Sequence, residues 1–372
     1  MNLVIVESPA KAKTINKYLG NDFNVLASFG HVRDLPSKNG SVNPDDNFSF
    51  EWEVSNTSKK HMKDIYEASE KASNLYLATD PDREGEAIAW HIVELLNKKK
   101  LLKNKNVKRV VFSEITKNAV KEGIANPRDI DNDLVEAYLA RRALDYLFGF
   151  NLSPVLWRKL PGAKSAGRVQ SVALRLICER ELEIESFKPD EYWKIKADVE
   201  IADETHISAN LISFNDEKIE KFTFKNEDST KIVVEAIKNK RFIISDIAKK
   251  PTTRNPDAPF STSTLQQTSS SIFGFGASRT MQIAQKLFQG IEIDGETVGL
   301  ITYMRTDSTE ISKEAIESYR TYLKRNFDNN YLPQDIRTYK SKKAKNAQEA
   351  HEGIRPTDIN LRPEDVSKFL DT

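Results

Sequence analysis

The sequence of 372 residues is poor in cysteine and in long apolar runs. Cys178 is the single cysteine, which excludes an intramolecular disulfide and a zinc site built from cysteines. No run of about 18 apolar residues occurs, so the sequence predicts no membrane-spanning helix and no membrane partner. Met1 leads directly into an apolar stretch that predicts a strand rather than a signal peptide. These features predict a cytoplasmic protein.

The chain also lacks a net charge of consequence. Its formal charge of +1 neither indicates nor excludes a nucleic-acid partner, because binding depends on local patches. Two basic stretches, 98–109 and 340–345, are typical either of a solvated surface or of a binding site. The GxxxxGK[ST] sequence that cradles nucleotide phosphates is absent, so no ATP site is predicted. Length and the 39% hydrophobic content predict a globular protein of about two to four domains.

An acidic stretch, residues 80–86 (DPDREGE), lies between an apolar run that predicts a strand and a run that predicts a helix. Ligand sites of α/β sheets lie at such strand-to-helix turns. In an extended segment, Asp80, Asp82 and Glu84 point to the same side. Three adjacent carboxylates repel one another, and hard oxygen ligands of this kind suit Mg²⁺. The alternative is an acidic helix N-terminus that complements the helix dipole.

A second acid, Glu7, ends the predicted strand 3–6. Ser8 and Pro9 are residue types that favour the N-cap and the first turn of a helix. If this strand neighbours the one before Asp80, Glu7 faces Asp80 across a crevice. Lys11, one helical turn further on, would reach the same place and could hold a phosphate or transfer a proton. Taken alone, Lys11 would be an ordinary surface lysine.

Further apolar runs at 23–28 and 107–112 predict strands, and 114–123 predicts a helix. Strands that alternate with helices to about residue 128 predict a compact parallel α/β domain. Residues 37–60 are polar and irregular and predict an excursion from the sheet.

The next region carries Arg141, Arg142 and Asp145 on a predicted helix that the stretch 151–154 is expected to break. Residues 161–171 are small and basic and precede another predicted helix. This stretch suits contact with phosphates or, equally, simple helix capping.

From residue 193 the apolar period changes to two, which predicts antiparallel strands at 193–201, 206–214 and 242–247. Residues 251–259 contain three prolines and predict a linker. A helical region is predicted to run from there to residue 288.

The apolar run 299–302 leads into Tyr303, and Arg305 follows two residues later. A tyrosine at the end of a buried strand usually serves packing alone. A phenolic nucleophile that attacks phosphate would also be built in this way, with Arg305 stabilising the developing charge and favouring the phenolate. A Thr-Asp-Ser cap predicts a helix over 310–322, and His351 is expected in a turn.

Together these motifs resemble the bacterial type IA DNA topoisomerases. The resemblance runs from residue 1 to about 360, with the motifs in the family's order. It implies a multidomain fold of α/β plus α+β type. The expected domains are a Rossmann-like Toprim domain (1–130), a helical DNA-groove domain (131–190), a β arch segment (191–258) and a helical domain that carries the nucleophile (259–372). The motifs are residues 4–15, 30–35, 78–91, 165–171, 259–267, 301–308 and 351–356.

The resemblance also implies roles. Tyr303 would attack single-stranded DNA to form a 5′-phosphotyrosine without ATP. Arg305 would stabilise the transition state, Glu7 and Lys11 would help protonate the leaving oxygen, and His351 would lie near the cleavage site. The implied ligands of Mg²⁺ are Glu7, Asp80, Asp82 and Glu84. The implied DNA contacts are His31, Arg141, Arg142, Asp145, Phe150, Trp157, Ser165, Arg168 and Gln170.

A protein of this kind would be a monomeric isomerase, associated with the nucleoid, that relaxes negatively supercoiled DNA. The family's chain continues beyond the His351 motif, so this sequence is expected to be truncated, with the returning half of its β region absent. Two other hypotheses stay open: a Toprim hydrolase or primase that forms no covalent adduct, and a fragment that binds single-stranded DNA without cleaving it.

Overall fold

A computed structural model describes residues 1–201, 205–339 and 352–370. The chain divides into two compact units, one formed by 1–167 with 256–372 and the other by Arg168–Asn255. The predicted four domains are a finer division and stay a prediction. None of the helices described is long and apolar enough to cross a membrane.

Helices begin where a capping side chain precedes an amphipathic stretch. Ser8 accepts a hydrogen bond from the Lys11 backbone N–H, and Pro9 is the first helical residue, as the sequence predicts. Two short 3₁₀ helices are also present, Asn329–Tyr331 and Ser367–Phe369. The α-helices are α1 Pro9–Leu19, α2 Asn56–Lys71, α3 Arg83–Lys98, α4 Lys117–Ala125, α5 Asn132–Lys159, α6 Arg168–Ser186, α7 Glu227–Lys238, α8 Thr262–Phe273, α9 Ala277–Gln289, α10 Lys313–Asn326 and α11 Pro363–Val366.

Most of the strands are short, and only four of them form the central parallel sheet. The others pair as antiparallel couples: β3 with β6, β4 with β5, β9 with β10, β11 with β12 and β13 with β14. The strands are β1 Asn2–Val6, β2 Phe23–Ala27, β3 Arg33–Asp34, β4 Val42–Asn43, β5 Ser49–Phe50, β6 Glu53–Val54, β7 Asn74–Leu77, β8 Asn106–Arg109, β9 Lys196–Ile201, β10 Thr205–Asn210, β11 Ser213–Phe214, β12 Glu217–Lys218, β13 Ile291–Ile293 and β14 Glu296–Val298.

The central sheet has the strand order β2-β1-β7-β8, and all its pairings are parallel. β1 is buried on both faces: Leu3 and Ile5 belong to one core cluster, and Val4 and Val6 belong to another. Such double burial accompanies helices on both sides of a parallel sheet. The chain connects β1 to β2 on one side and later reaches β7 on the other. The carboxyl ends of β1 and β7 therefore flank a topological switch point, where α/β sheets bind ligands.

The C-terminal part of the same unit packs directly on one face of this sheet. Phe288, Tyr303 and Met304 join Val4 and Ile15 in a single core cluster. The Tyr303 backbone N–H also donates to the Ser113 carbonyl at 2.9 Å. This packing brings a segment near residue 300 to the edge of a sheet formed by the first 110 residues.

Three predictions of local structure near functional residues are wrong. The stretch 151–154 does not break α5, which continues through Pro154 to Lys159. The missing N–H of a proline within a helix costs about 3 kcal/mol. In α5, buried residues on the N-terminal side of that position, such as Tyr138 and Tyr146, anchor the helix and outweigh the loss.

Tyr303 does not end a strand, because among the described residues the segment after β14 pairs through a single bridge, Ile301 with Pro356. The helix after it begins at Lys313 behind the cap Ser312, not at residue 310. Residues 242–247 form no strand: a strand needs a neighbouring ladder, and no described segment supplies one there. Sequence reasoning also missed the helices α2 and α7.

Candidate active site

Tyr303 meets the acidic turn at the carboxyl end of β7. Its side chain is almost fully buried, and its hydroxyl donates to Asp82 Oδ2 at 2.7 Å. The preceding residue is fixed as well, since the Thr302 hydroxyl donates to the Gly353 carbonyl at 2.9 Å. Two stretches 221 residues apart in sequence thus meet in one hydrogen bond.

The surroundings of Tyr303 favour the protonated phenol. Burial raises the pKa of Tyr303 well above its usual range, and the carboxylates of Asp80 and Asp82 raise it further. The guanidinium of Arg305 lowers the pKa but has a smaller effect. Arg305 is more than half exposed, and its Nη1 lies 3.9 Å from Asp82 Oδ2. Arg305 thus acts in the expected direction, towards the phenolate, but burial and the two acids outweigh this one solvated cation.

Lys11 lies at the centre of the predicted crevice and is fully buried. Its Nζ forms ion pairs with Glu7 and Asp80, and it also lies 4.9 Å from the centre of the Phe288 ring. Burial by itself would lower the pKa of Lys11, but the two carboxylates together raise it above its usual value. Lys11 therefore carries its charge inside the protein and is not a surface lysine.

Glu7 is a carboxyl group that titrates near neutrality. Burial raises its pKa to about 7; Lys11 opposes this rise and Asp80 adds to it. A group with such a pKa can both donate and accept a proton at physiological pH.

The four predicted metal ligands each have a protein partner. The extended segment ends at Asp82, which caps α3 by accepting from the Gly85 N–H at 2.8 Å. Glu84 therefore lies within the helix, where its Oε2 is 3.2 Å from His31 Nε2 and not beside Asp80. The expected convergence of the three acids of this turn does not occur, because α3 begins one residue after Asp82.

Lys11 offsets the negative charge of Glu7 and Asp80 at this site. Across the described residues, no group of three or more His, Cys, Asp or Glu side chains is arranged to hold a metal. The donor chemistry nevertheless fits a hard cation, since all four candidates are carboxylates. In addition, neither oxygen of buried Glu7 receives a hydrogen bond from the described protein, apart from the ion pair of Oε1 with Lys11.

Arg109, which sequence reasoning missed, holds the backbone of the acidic turn in place. It is fully buried, and its Nε donates to Glu86 Oε2 at 2.9 Å. Its two other nitrogens donate to the carbonyls of Leu77, Thr79 and Asp80 at 2.8, 2.9 and 2.5 Å. A charged residue within the predicted strand 107–112 was the available signal.

Gly85 allows α3 to approach the turn closely. A Cβ at this position would lie 2.0 Å from the Asp80 carbonyl oxygen, closer than any side chain permits. A glycine at position 85 is therefore a structural requirement of the turn.

Four predicted DNA contacts line a second cleft of about 230 Å³, here called the arginine cleft. Each of its basic side chains faces an acid: His31 faces Glu84, Arg141 Nε is 3.9 Å from Asp145 Oδ2, and Arg142 pairs with Asp34. These side chains are 36–59% exposed apart from Glu84, at 34%. The arginine cleft comprises His31, Asp34, Glu84, Tyr138, Arg141, Arg142 and Asp145.

The other predicted DNA contacts are placed elsewhere. Phe150 stacks on Tyr146 with ring centres 4.4 Å apart, and exposed Trp157 donates to the Lys164 carbonyl at 2.7 Å. Ser165 is exposed in the loop after α5, while Arg168 and Gln170 begin α6 in the other unit. His351 lies outside the described residues.

Comparisons with known proteins point to one family. Residues 129–369 match the family model described as DNA topoisomerase, and residues 2–115 match that of the Toprim domain, a metal-binding domain. The whole chain is 55% identical to DNA topoisomerase 1 of Rickettsia bellii and covers 46% of it. Over 97% of its length it is 54% identical to DNA topoisomerase 1 of Zymomonas mobilis and covers 29% of that protein.

The fold has a solved counterpart in full-length topoisomerase I from Thermotoga maritima. The TM-score is 0.80 at 39% identity, over 100% of this chain and 57% of that one. These matches confirm the resemblance and the predicted fold class, multidomain α/β plus α+β with an N-terminal Toprim domain. The chain spans about half the length of most of the curated relatives it matches.

Proposed function

Because this chain belongs to the DNA topoisomerase family, we propose that it cleaves and rejoins single-stranded DNA through a covalent bond between Tyr303 and a 5′-phosphate. The observation that supports this most strongly is the contact between Tyr303 and Asp82 beside the buried Lys11. It joins a nucleophile, a proton acceptor and a fixed positive charge. As part of a longer protein, the chain would relax negatively supercoiled DNA by strand passage.

The cleavage step transfers one proton from the nucleophile and returns one to the leaving group. The Tyr303 oxygen attacks phosphorus while Asp82 Oδ2, already its hydrogen-bond acceptor, takes the phenolic proton. The bond from phosphorus to the 3′-oxygen breaks, and that oxygen receives a proton from Glu7 or Lys11. Glu7 suits this role because its pKa of about 7 leaves it partly protonated at neutral pH. The reverse sequence rejoins the strand.

The phosphate that reacts is already anionic, so the site must supply positive charge. Arg305 has an exposed guanidinium that can turn towards a bound phosphate, and Lys11 adds a fixed charge behind it. Mg²⁺ held by Glu7, Asp80 and Asp82 would offset the acids and organise the DNA when bound. The arginine cleft would bind the phosphates of the strand.

The phosphotyrosine bond conserves the energy of the broken phosphodiester, so rejoining needs no ATP. Strand passage requires the Tyr303 segment to separate from the sheet. Contacts that would open include Tyr18 with the Thr297 carbonyl at 2.7 Å and Lys13 with Glu292 at 3.2 Å. We propose that the chain acts as a monomer in the cytoplasm, at the nucleoid.

An adduct assay tests this proposal. The chain is incubated with a single-stranded oligonucleotide labelled at its 3′-end, denatured, and analysed for label that migrates with protein. We expect label on the wild type and none on Tyr303→Phe, which lacks only the attacking oxygen. Cleaved product without adduct would contradict the proposal and favour a Toprim hydrolase or primase. Binding without cleavage would favour a catalytically inactive fragment.

A further inference from the structure

A third cleft, of about 860 Å³, opens beside Glu7 and Asp80. Four glutamine side chains line it, Gln266 of α8 and three from α9, and it is here called the glutamine cleft. Arg305 lines it too, so the cleft reaches the proposed cleavage site. The three glutamines of α9 are Gln282, Gln285 and Gln289.

The glutamines form a continuous polar stripe. On α9, Ser278, Gln282, Gln285 and Gln289 recur at intervals of four, three and four residues, which places them on one helix face. Their side chains are half-buried or exposed. None of the glutamine amides lining the cleft hydrogen-bonds to another described residue. Each amide offers two donor hydrogens and an acceptor oxygen. The stripe therefore presents unpaired hydrogen-bonding groups along one wall.

We propose that the glutamine cleft binds the nucleotides on the 3′ side of the cleaved phosphodiester. This inference rests on the proposed function. Tyr303 would become bonded to the 5′-phosphate of the first of these nucleotides. α8, α9 and Tyr303 belong to one stretch of chain, residues 262–303, so the DNA end that Tyr303 carries would move with this stretch when it separates from the sheet. The arginine cleft would then retain the other DNA end.

The amides would add hydrogen bonds to a wall that also carries two cations, Arg305 and Lys286. Arg305 lies 3.9 Å from Asp82 Oδ2, so part of its charge is offset by that acid. Amides can donate to phosphate oxygens and bind base edges, including bidentate contact with adenine. Because they release no counterions, their contribution to binding should depend little on salt.

Photo-crosslinking in the adduct tests where the strand lies. An oligonucleotide whose 5′ fragment dissociates after cleavage traps the adduct. The position of each remaining 3′ nucleotide relative to the phosphotyrosine bond is then known. With 4-thiothymidine at the second or third of these nucleotides, irradiation should yield crosslinked peptides from 278–289. Crosslinks from these positions only to other peptides would overturn the inference. A second experiment uses uncleaved oligonucleotide bound to Tyr303→Phe, with the probe on the 5′ side of the scissile bond. Crosslinks from this probe to residues 278–289 would also overturn the inference.

A variant series provides a second readout. We expect Gln282→Ala/Gln285→Ala/Gln289→Ala to lower adduct yield about tenfold for substrates with several 3′ nucleotides, since each lost hydrogen bond weakens binding several-fold. The loss should grow as the 3′ side is lengthened from one nucleotide to six. Alanine preserves the helix. Gln267→Ala on α8, outside the cleft, is the matched control and should behave as wild type.

The outcomes separate the two proposals. The triple variant and the wild type could give equal adduct yields whatever the number of nucleotides on the 3′ side. That result would overturn this inference alone. Absence of adduct from the wild type on all oligonucleotides would overturn the proposed function and this inference with it.

Discussion

The proposed cleavage centre and the arginine cleft use similar charges in opposite ways. At the centre, Lys11 is fully buried and shared by Glu7 and Asp80. In the arginine cleft Arg141 and Arg142 each face a single acid and are over one-third exposed. Exposed ion pairs contribute about 0–1 kcal/mol, whereas breaking a buried pair costs about 3–5 kcal/mol. The proposed cleavage centre thus holds its charged groups in buried pairs that do not exchange partners. In the arginine cleft, a DNA phosphate can displace an acid from its exposed arginine.

Removal of Lys11 is the strongest test of this contrast. Lys11→Met should leave two buried carboxylates without their cation and lower the free energy of unfolding by about 3–5 kcal/mol. Adduct formation should fall about 10²–10³-fold, measured below the melting temperature. Lys13→Met, on the exposed side of α1, is the control and should change either quantity little. An unaltered denaturation midpoint for Lys11→Met would contradict the buried pairing.

Substitution of Arg305 should slow DNA cleavage without changing the stability of the protein. Its guanidinium is mostly exposed and contacts only the edge of Asp82, so Arg305→Ala should leave thermal unfolding unchanged. Adduct formation should slow about 10²-fold, because a charge next to the reacting phosphate is lost. Single-turnover kinetics with saturating oligonucleotide would check this. A loss that saturating DNA fully restores would instead assign Arg305 to binding.

A buried histidine beneath the arginine cleft predicts a pH effect. Burial, with Arg33 and His31 nearby, lowers the pKa of His91 to about 2. Its Nδ1 accepts a hydrogen bond from Arg33 Nε, so the folded protein holds it neutral. The unfolded chain binds a proton near pH 6.5, and the stability is therefore present above 6.5 and lost as pH falls towards 2.

The wild type should lose roughly 2 kcal/mol more than His91→Gln between pH 8 and pH 5. Urea unfolding of both proteins at each pH measures this difference. Parallel stability curves for the two proteins would show that His91 is not held neutral.

The smallest effects are expected in the arginine cleft itself, and two substitutions should act in opposite directions. Arg142→Ala should weaken binding of single-stranded DNA a few-fold and reduce the salt slope by about 0.7. Asp34→Asn removes the acid that pairs with Arg142 and should strengthen binding by a similar factor. Fluorescence anisotropy at several salt concentrations measures both. Weaker binding by Asp34→Asn would mean that the acid orients Arg142 rather than competing with DNA.

The parts of the site that sequence predicted well depend on local rules. The Ser8–Pro9 helix start, the strand before Asp80 and the position of Glu7 follow from capping preferences and apolar runs. The parts it missed depend on distant partners. Arg109 gains its role only because β8 lies beside β7, and Pro154 is tolerated because buried side chains earlier in α5, such as Tyr138 and Tyr146, anchor the helix.

By itself the sequence determined the residue types, the family motifs and the order of strands and helices around the sheet, because these depend on neighbours within a few positions. Tertiary structure decided the charge states. Lys11 stays charged inside the protein, Glu7 titrates near 7, and Tyr303 is held as a phenol. The physical reason is that desolvation and the spacing of opposite charges depend on which distant segments come into contact. Local sequence patterns do not show those contacts.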